Sequence, residues 1–140
     1  MPLQPLEWTI ASDVMAIERI VEGVAGQCAA AGFSARQCRF NVPIALTEAL
    51  SNAILRGNGQ HEGKQVRVRA CVDTRELVME VTDEGAGFDL DTKCVDPTSP
   101  ERIMREDGRG LFLMRRLMDR VERFPADEQG NVVRLTLRRP

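Results

Sequence analysis

A chain of 140 residues, 43% of them hydrophobic and 29% charged, has the length and composition of one globular domain with its own apolar core. Its formal net charge of -2 at pH 7 offers no overall basic surface, which argues against direct binding of nucleic acid. No apolar run reaches the roughly 18 residues of a membrane span, and MPLQPLEWTI lacks the basic-then-apolar order of a signal peptide, so neither membrane association nor export is expected.

Leu6, Trp8 and Ile10 alternate with polar residues and predict a first strand, with Ser12 or Asp13 placed to cap the helix after it. Val14, Ile17, Ile20, Val21 and Val24 recur at helical spacing, so this helix is predicted to run to about Ala31 and stop at Gly32. Ser34 is expected to cap a second helical stretch that Pro43 interrupts or restarts near Asn41 or Val42, since proline suits a helix's first turn. The pattern stays helical to Leu55 and closes at Arg56-Gly57-Asn58-Gly59. Two strands follow, Gln65–Val72 and Glu76–Asp83, around a tight turn at Asp73-Thr74.

Residues 88–107 are polar, contain Pro97 and Pro100, and show little periodicity. So long a connection inside a compact domain reads as a lid, placed at about 89–107. A short helix over Leu111–Met118 and two strands, Val121–Phe124 and Val132–Leu137, complete the chain. The order β-α-α-β-β-lid-α-β-β predicts an α+β fold over residues 1–140: a two-layer sandwich of a mixed sheet with its helices on one face. The four cysteines, Cys28, Cys38, Cys71 and Cys94, form no C-x-x-C pair, and His61 is the single histidine. A zinc site is therefore not expected, and buried or idle thiols in a reducing cytoplasm are.

Three segments carry chemistry. On the helix after Pro43, Glu48 and Asn52 stand one turn apart beside Ala45, on a different stripe from Val42, Leu46, Ala49, Leu50 and Ala53. Leu77, Met79 and Val81 share a strand face that Asp83 continues, so the Asp83 carboxylate needs a hydrogen-bonding partner. Gly85 and Gly87, alternating after that strand, allow a ligand to approach the backbone. Gly108-Arg109-Gly110-Leu111 opens a helix, where free N–H groups and the positive end of the helix dipole favour a phosphate. Each segment alone is a weak signal; the three in this order are far more specific.

TEALSNAILRG, VTDEGAGFD and GRGLFLMRRLMD together resemble the ATP-binding (Bergerat) fold of gyrase-type topoisomerases, heat-shock chaperones, sensor histidine kinases and mismatch-repair ATPases. Within that fold, the compact chain is similar to the bacterial anti-sigma-factor serine/threonine kinases. The resemblance implies that Asn52 holds Mg²⁺, that Glu48 is the general base, and that Asp83 accepts a hydrogen bond from the adenine amino group. It implies close approach of base and sugar at Gly85 and Gly87, and phosphates cradled by Gly108, Arg109, Gly110 and Leu111 under the lid, with Arg105 adding charge. It further implies a kinase that holds a sigma factor or phosphorylates a Ser/Thr of an anti-sigma-factor antagonist, as a homodimer. The alternative is a nucleotide-gated binding module without phosphotransfer. One departure stands out: where many members carry Gly-Thr before the last strand, this chain has Gly130-Asn131.

Overall fold

Alternating apolar and polar residues along five segments produce five strands, each with one face for the core and one for solvent. The structure is a computed structural model describing residues 5–57, 63–85, 106–126 and 130–140. Its strands β1 (Leu6–Ala11), β2 (Gln65–Val72), β3 (Glu76–Thr82), β4 (Arg120–Pro125) and β5 (Asn131–Arg138) form one sheet in the order β1-β2-β3-β5-β4. The register sets Ile10 opposite Val66, Val68 opposite Val81, and Met79 opposite Leu135, which makes one continuous apolar face. The other face carries Arg67, Arg69, Glu80 and Arg134, with Arg134 Nε donating to Glu80 Oε2 at 2.8 Å.

The sheet expected to be mixed is antiparallel throughout. Two helices between β1 and β2 bring the chain back to the end of the sheet it left, so those strands pair antiparallel. β3 and β4 do run the same way, but β5 inserts between them and pairs antiparallel with both.

Among the described residues, the helices α1 (Ile17–Ala30), α2 (Val42–Asn52) and α3 (Glu106–Leu117) cover the apolar face. Asp13 accepts from the Met15 N–H and caps a short 3₁₀ turn leading into α1, whose Ile20, Val24 and Cys28 are fully buried. Gly32, at φ 93°, ends α1 in a Schellman motif: its own N–H reaches the Ala29 carbonyl, and the Phe33 N–H reaches that of Cys28. Cys28, Cys38 and Cys71 are free thiols, and burial pushes that of Cys28 up to about 12; Cys94 lies outside the described residues.

Ser34 and Gln37 form a capping box, Ser34 Oγ accepting from the Gln37 N–H and Gln37 Oε1 from the Ser34 N–H. Pro43 does not break the helix. The turn before it, Gln37–Asn41, is π-helical, with the Val42 N–H reaching back to the Gln37 carbonyl, so the missing proline donor falls where the hydrogen-bond ladder is already shifted. A second π-helical turn, Ala53–Gly57, follows α2. Gln37 Nε2 donates to the Arg138 carbonyl, and Asn41 Nδ2 to the Leu117 carbonyl at 2.8 Å, tying this helical run to β5 and to the last residue of α3.

Met79, Leu77 and Leu135 are fully buried in the two central strands, and Met114 and Met118 close the core from the α3 side. Leu135→Ala should therefore destabilise the fold by about 2–5 kcal/mol, the usual range for an aliphatic core truncation. Urea unfolding should show this as a lower midpoint with an unchanged slope.

Candidate functional site

Asp83 follows directly on β3 and stays on its helix-covered face, only 7% exposed. A buried carboxylate requires donors, and the backbone supplies them. The Gly85 N–H donates to Oδ1 at 2.8 Å and the Asn131 N–H at 3.3 Å, while the Asp83 N–H donates to the Asn131 carbonyl at 3.0 Å. Burial pushes the Asp83 carboxyl above the usual carboxylate range; the hydrogen bonds from Gly85 and Asn131, and more weakly the charge of Arg123, pull the other way.

Gly130 makes this packing possible. It has φ 105°, and a Cβ on it would sit 1.8 Å from the Asp83 carbonyl oxygen. Both the left-handed backbone and the absence of a side chain are required there. The family resemblance puts Gly130-Asn131 in the place of a Gly-Thr pair whose Thr supports the adenine-binding Asp, but a glycine beside a turn gives no sign of itself that the neighbouring strand end lies against it.

Glu48 and Asn52 are half-buried on α2, on the stripe that also carries buried Ala45, with Val42, Leu46, Ala49 and Leu50 turned fully into the core. α2 packs against both β3 and α3, so the helix bearing Glu48 and Asn52 adjoins the strand that leads to Asp83 and the helix that holds Gly108 and Gly110. Gly85 is buried, and Gly87 lies outside the described residues, as do Arg105 and most of the expected lid.

The helix expected from Leu111 begins at Glu106, so Gly108, Arg109, Gly110 and Leu111 are already helical, and the lid's last two residues belong to α3. The side chains of Arg109 and Leu111 lie outside the described residues. Arg120 and Arg123 are on β4. Arg115 and Arg116 are exposed on α3, where Arg116 lies 5.7 Å from the centre of the exposed Phe112 ring.

A cavity of about 870 Å³ lies over the opposite, charged face of the sheet, lined by Thr9, Arg67, Glu80, Thr82, Phe124 and Arg134 among others. It is open and laced with ion pairs, and Asp83 does not line it. The buried carboxylate with its glycines is the better-built site.

The arrangement offers a buried carboxylate at the end of β3, and a carboxylate and an amide one turn apart on α2. Among the described residues no group of three His, Cys, Asp or Glu could hold a metal ion. The amide oxygen of Asn52 is a hard ligand of the kind that suits Mg²⁺. Among the described residues, too, no helix is long and apolar enough to cross a membrane.

Comparison with known proteins agrees with this geometry. The model of the histidine kinase-like ATPase domain matches residues 10–137. The chain is 34% identical over 83 residues to the anti-sigma F factor of Clostridium acetobutylicum, an alignment covering 59% of this chain and 57% of that protein. It is 31% identical over 115 residues to the serine-protein kinase RsbW of Listeria monocytogenes, covering 79% and 72%. With RsbW of Bacillus subtilis it shares 36% over 86 residues, covering 58% and 54%. The matched region thus spans little more than half the length of two of these three relatives.

Two outcomes follow for the protein without ligand. Gly130→Ala should destabilise it by more than about 2 kcal/mol, since strained φ and a backbone clash add, with the loss read by thermal or urea unfolding. Asp83→Asn should be at least as stable as wild type at neutral pH. The folded carboxyl is raised, so its ionisation opposes folding above that pKa and not below it. The variant's advantage should therefore shrink as the pH falls through the Asp83 titration, which unfolding curves between pH 4 and 8 would register.

Proposed function

Because the chain belongs to the histidine kinase-like ATPase family and, within it, to the bacterial anti-sigma-factor serine/threonine kinases, we propose that it is an ATP-dependent protein kinase acting by partner switching. It holds a sigma factor, and it phosphorylates a Ser or Thr of an anti-sigma-factor antagonist. The observation that carries this reading is the Asp83 site: a buried carboxylate fixed by the Gly85 and Asn131 N–H groups, next to a helix bearing Glu48 and Asn52.

Each residue has one task. Asp83 accepts from the adenine amino group with the carboxylate oxygen capacity that the two backbone N–H groups leave. Gly85, and by the family resemblance Gly87, admit the base and sugar against the backbone. The start of α3, with Gly108, Arg109, Gly110 and Leu111, faces the phosphates. Asn52 would be the protein's ligand to Mg²⁺, which supplies neutralisation of phosphate charge when bound.

Glu48 takes the proton from the attacking hydroxyl. A bond forms from that oxygen to the γ-phosphorus as the bond from the γ-phosphorus to the β,γ-bridging oxygen breaks, and ADP leaves. A carboxylate at this place favours a phosphotransferase over a module that merely binds nucleotide, which needs no base there. We place the protein in the cytoplasm as a homodimer, whose mass by light scattering should be twice that of the chain.

The test is transfer of label from γ-³²P-ATP with Mg²⁺ to a candidate antagonist, alongside nucleotide titrations. Glu48→Ala should keep ATP affinity within about threefold of wild type while phosphotransfer falls at least about 100-fold, the usual size of a general-base contribution. Asp83→Asn should lose ATP binding. Wild type that binds ATP through Asp83 yet labels no antagonist would replace the kinase reading with a nucleotide-gated binding module.

A further inference from the structure

Seven large apolar side chains are exposed among the described residues, and four of them belong to two neighbouring helical segments. Phe40 and Ile44 lie on the run that becomes α2, and Phe112 and Leu113 on α3; Phe40 is 55% exposed and Phe112 60%. Asn41 Nδ2 donates to the Leu117 carbonyl, so the start of that run meets the end of α3. Because α2 also packs on α3, the two helices run antiparallel with a seam between them. Ile44 stands about one turn beyond Asn41, and Leu113 one turn before Leu117, which sets them level with each other on the two sides of the seam. Ala45, Leu46 and Met114 beside them are buried, so these four side chains are surplus to the core. Apolar groups scattered singly over a surface are ordinary; a cluster of this kind marks a place of contact.

The same segments carry charge of one sign. Residues 34–47 and 108–118 contain five arginines and no acidic residue, in a chain whose formal net charge is -2. Arg36, Arg39, Arg115 and Arg116 are exposed, and none of them has an ion pair among the described residues. Arg116 instead lies over the Phe112 ring. The carboxylates that follow the two segments in sequence do not neutralise them. Glu48 is half-buried on another stripe of α2, and Asp119 accepts from the Arg138 N–H.

We propose that the seam between α2 and α3 is a docking surface for an acidic amphipathic helix of a partner protein. The apolar side of that helix seats on Phe40, Ile44, Phe112 and Leu113, and carboxylates along its rims pair with Arg39 and Arg116. Charge decides against a second copy of this chain, because a two-fold contact through this face would set arginines against arginines with no acid between them. Shape decides against a lipid surface, which is flat, whereas these apolar side chains stand on the two sides of a seam that a helix fills. Ile44 precedes Glu48 by one turn of α2, so the docked helix lies beside the proposed catalytic carboxylate.

The test titrates the full chain into a fluorescein-labelled peptide of about 18 residues, with leucines on one helical face and glutamates elsewhere, and into a twin with lysine for every glutamate. Fluorescence anisotropy reads the binding. Wild type should bind the glutamate peptide at least about tenfold more tightly than the lysine peptide. Phe112→Ser should weaken the glutamate peptide about tenfold, the size expected of one aromatic anchor. Arg39→Glu combined with Arg116→Glu should reverse the preference between the peptides, a change that general damage to the fold does not produce. Equal binding of the two peptides by wild type, or binding of neither, overturns the proposal. Two other occupants have their own signatures, and each also overturns it. Wild-type binding to phosphatidylglycerol vesicles that Phe112→Ser abolishes marks a lipid surface, and a mass by light scattering that Phe112→Ser halves marks a second copy. None of these outcomes depends on nucleotide binding, so the docking surface can fail while the kinase reading stands, and the reverse.

Discussion

A carboxylate taken out of water at the end of an apolar strand face is the constraint around which the rest of the molecule is arranged. Asp83 continues the row of Leu77, Met79 and Val81, and its ionised form is disfavoured there by burial. Two backbone N–H groups make the position tolerable, and each depends on local structure: Gly85 on a turn directly after β3, Asn131 on the register of β5. The register depends in turn on Gly130, whose conformation and lack of a side chain let the two strand ends close on one another. A group so placed lowers the stability of the empty protein and gains its value when a ligand donor arrives, a trade common at functional sites.

The helices serve this strand end at one remove. α2 has to lie close to β3 and at a fixed height along it for Glu48 and Asn52 to be of use. Its apolar stripe supplies the closeness, and side-chain amides supply the height: Gln37 holds the Arg138 carbonyl and Asn41 the Leu117 carbonyl. The second of these satisfies an otherwise open carbonyl at the end of α3, so the helix that starts with the glycines is anchored at its far end by the helix that carries Glu48. The π-helical turns on either side of α2 adjust the phase of one long helical run without ending it.

Much of this is legible in the sequence where the signal is periodic. β2 is bounded by the residues that alternation marks, Asp13 and Ser34 cap as their chemistry requires, and Asp83 lies on the face that two-residue spacing assigns it. Readings diverge where the outcome depends on what lies across the fold. Pro43 looks like a break because the preceding π-helical turn leaves no mark in composition. The sheet looks mixed because the strands joined across α3 run parallel, and only pairing shows that β5 separates them. The glycines expected to open the helix lie inside it, because α3 already starts at Glu106 and packs on α2. Gly130 packs on a segment nearly 50 residues away, a contact that a local pattern does not carry.

The central claim is that a nucleotide binds at the Asp83 strand end and not in the open cavity on the other face of the sheet. Titration of ¹⁵N-labelled protein with ATP and Mg²⁺, followed by amide chemical shifts, tests it most directly. The account predicts that the largest shifts fall on Gly85 and Asn131, whose N–H groups share the Asp83 carboxylate, and on the first turn of α3. Shifts confined to Thr9, Arg67, Glu80 and Arg134 would contradict it.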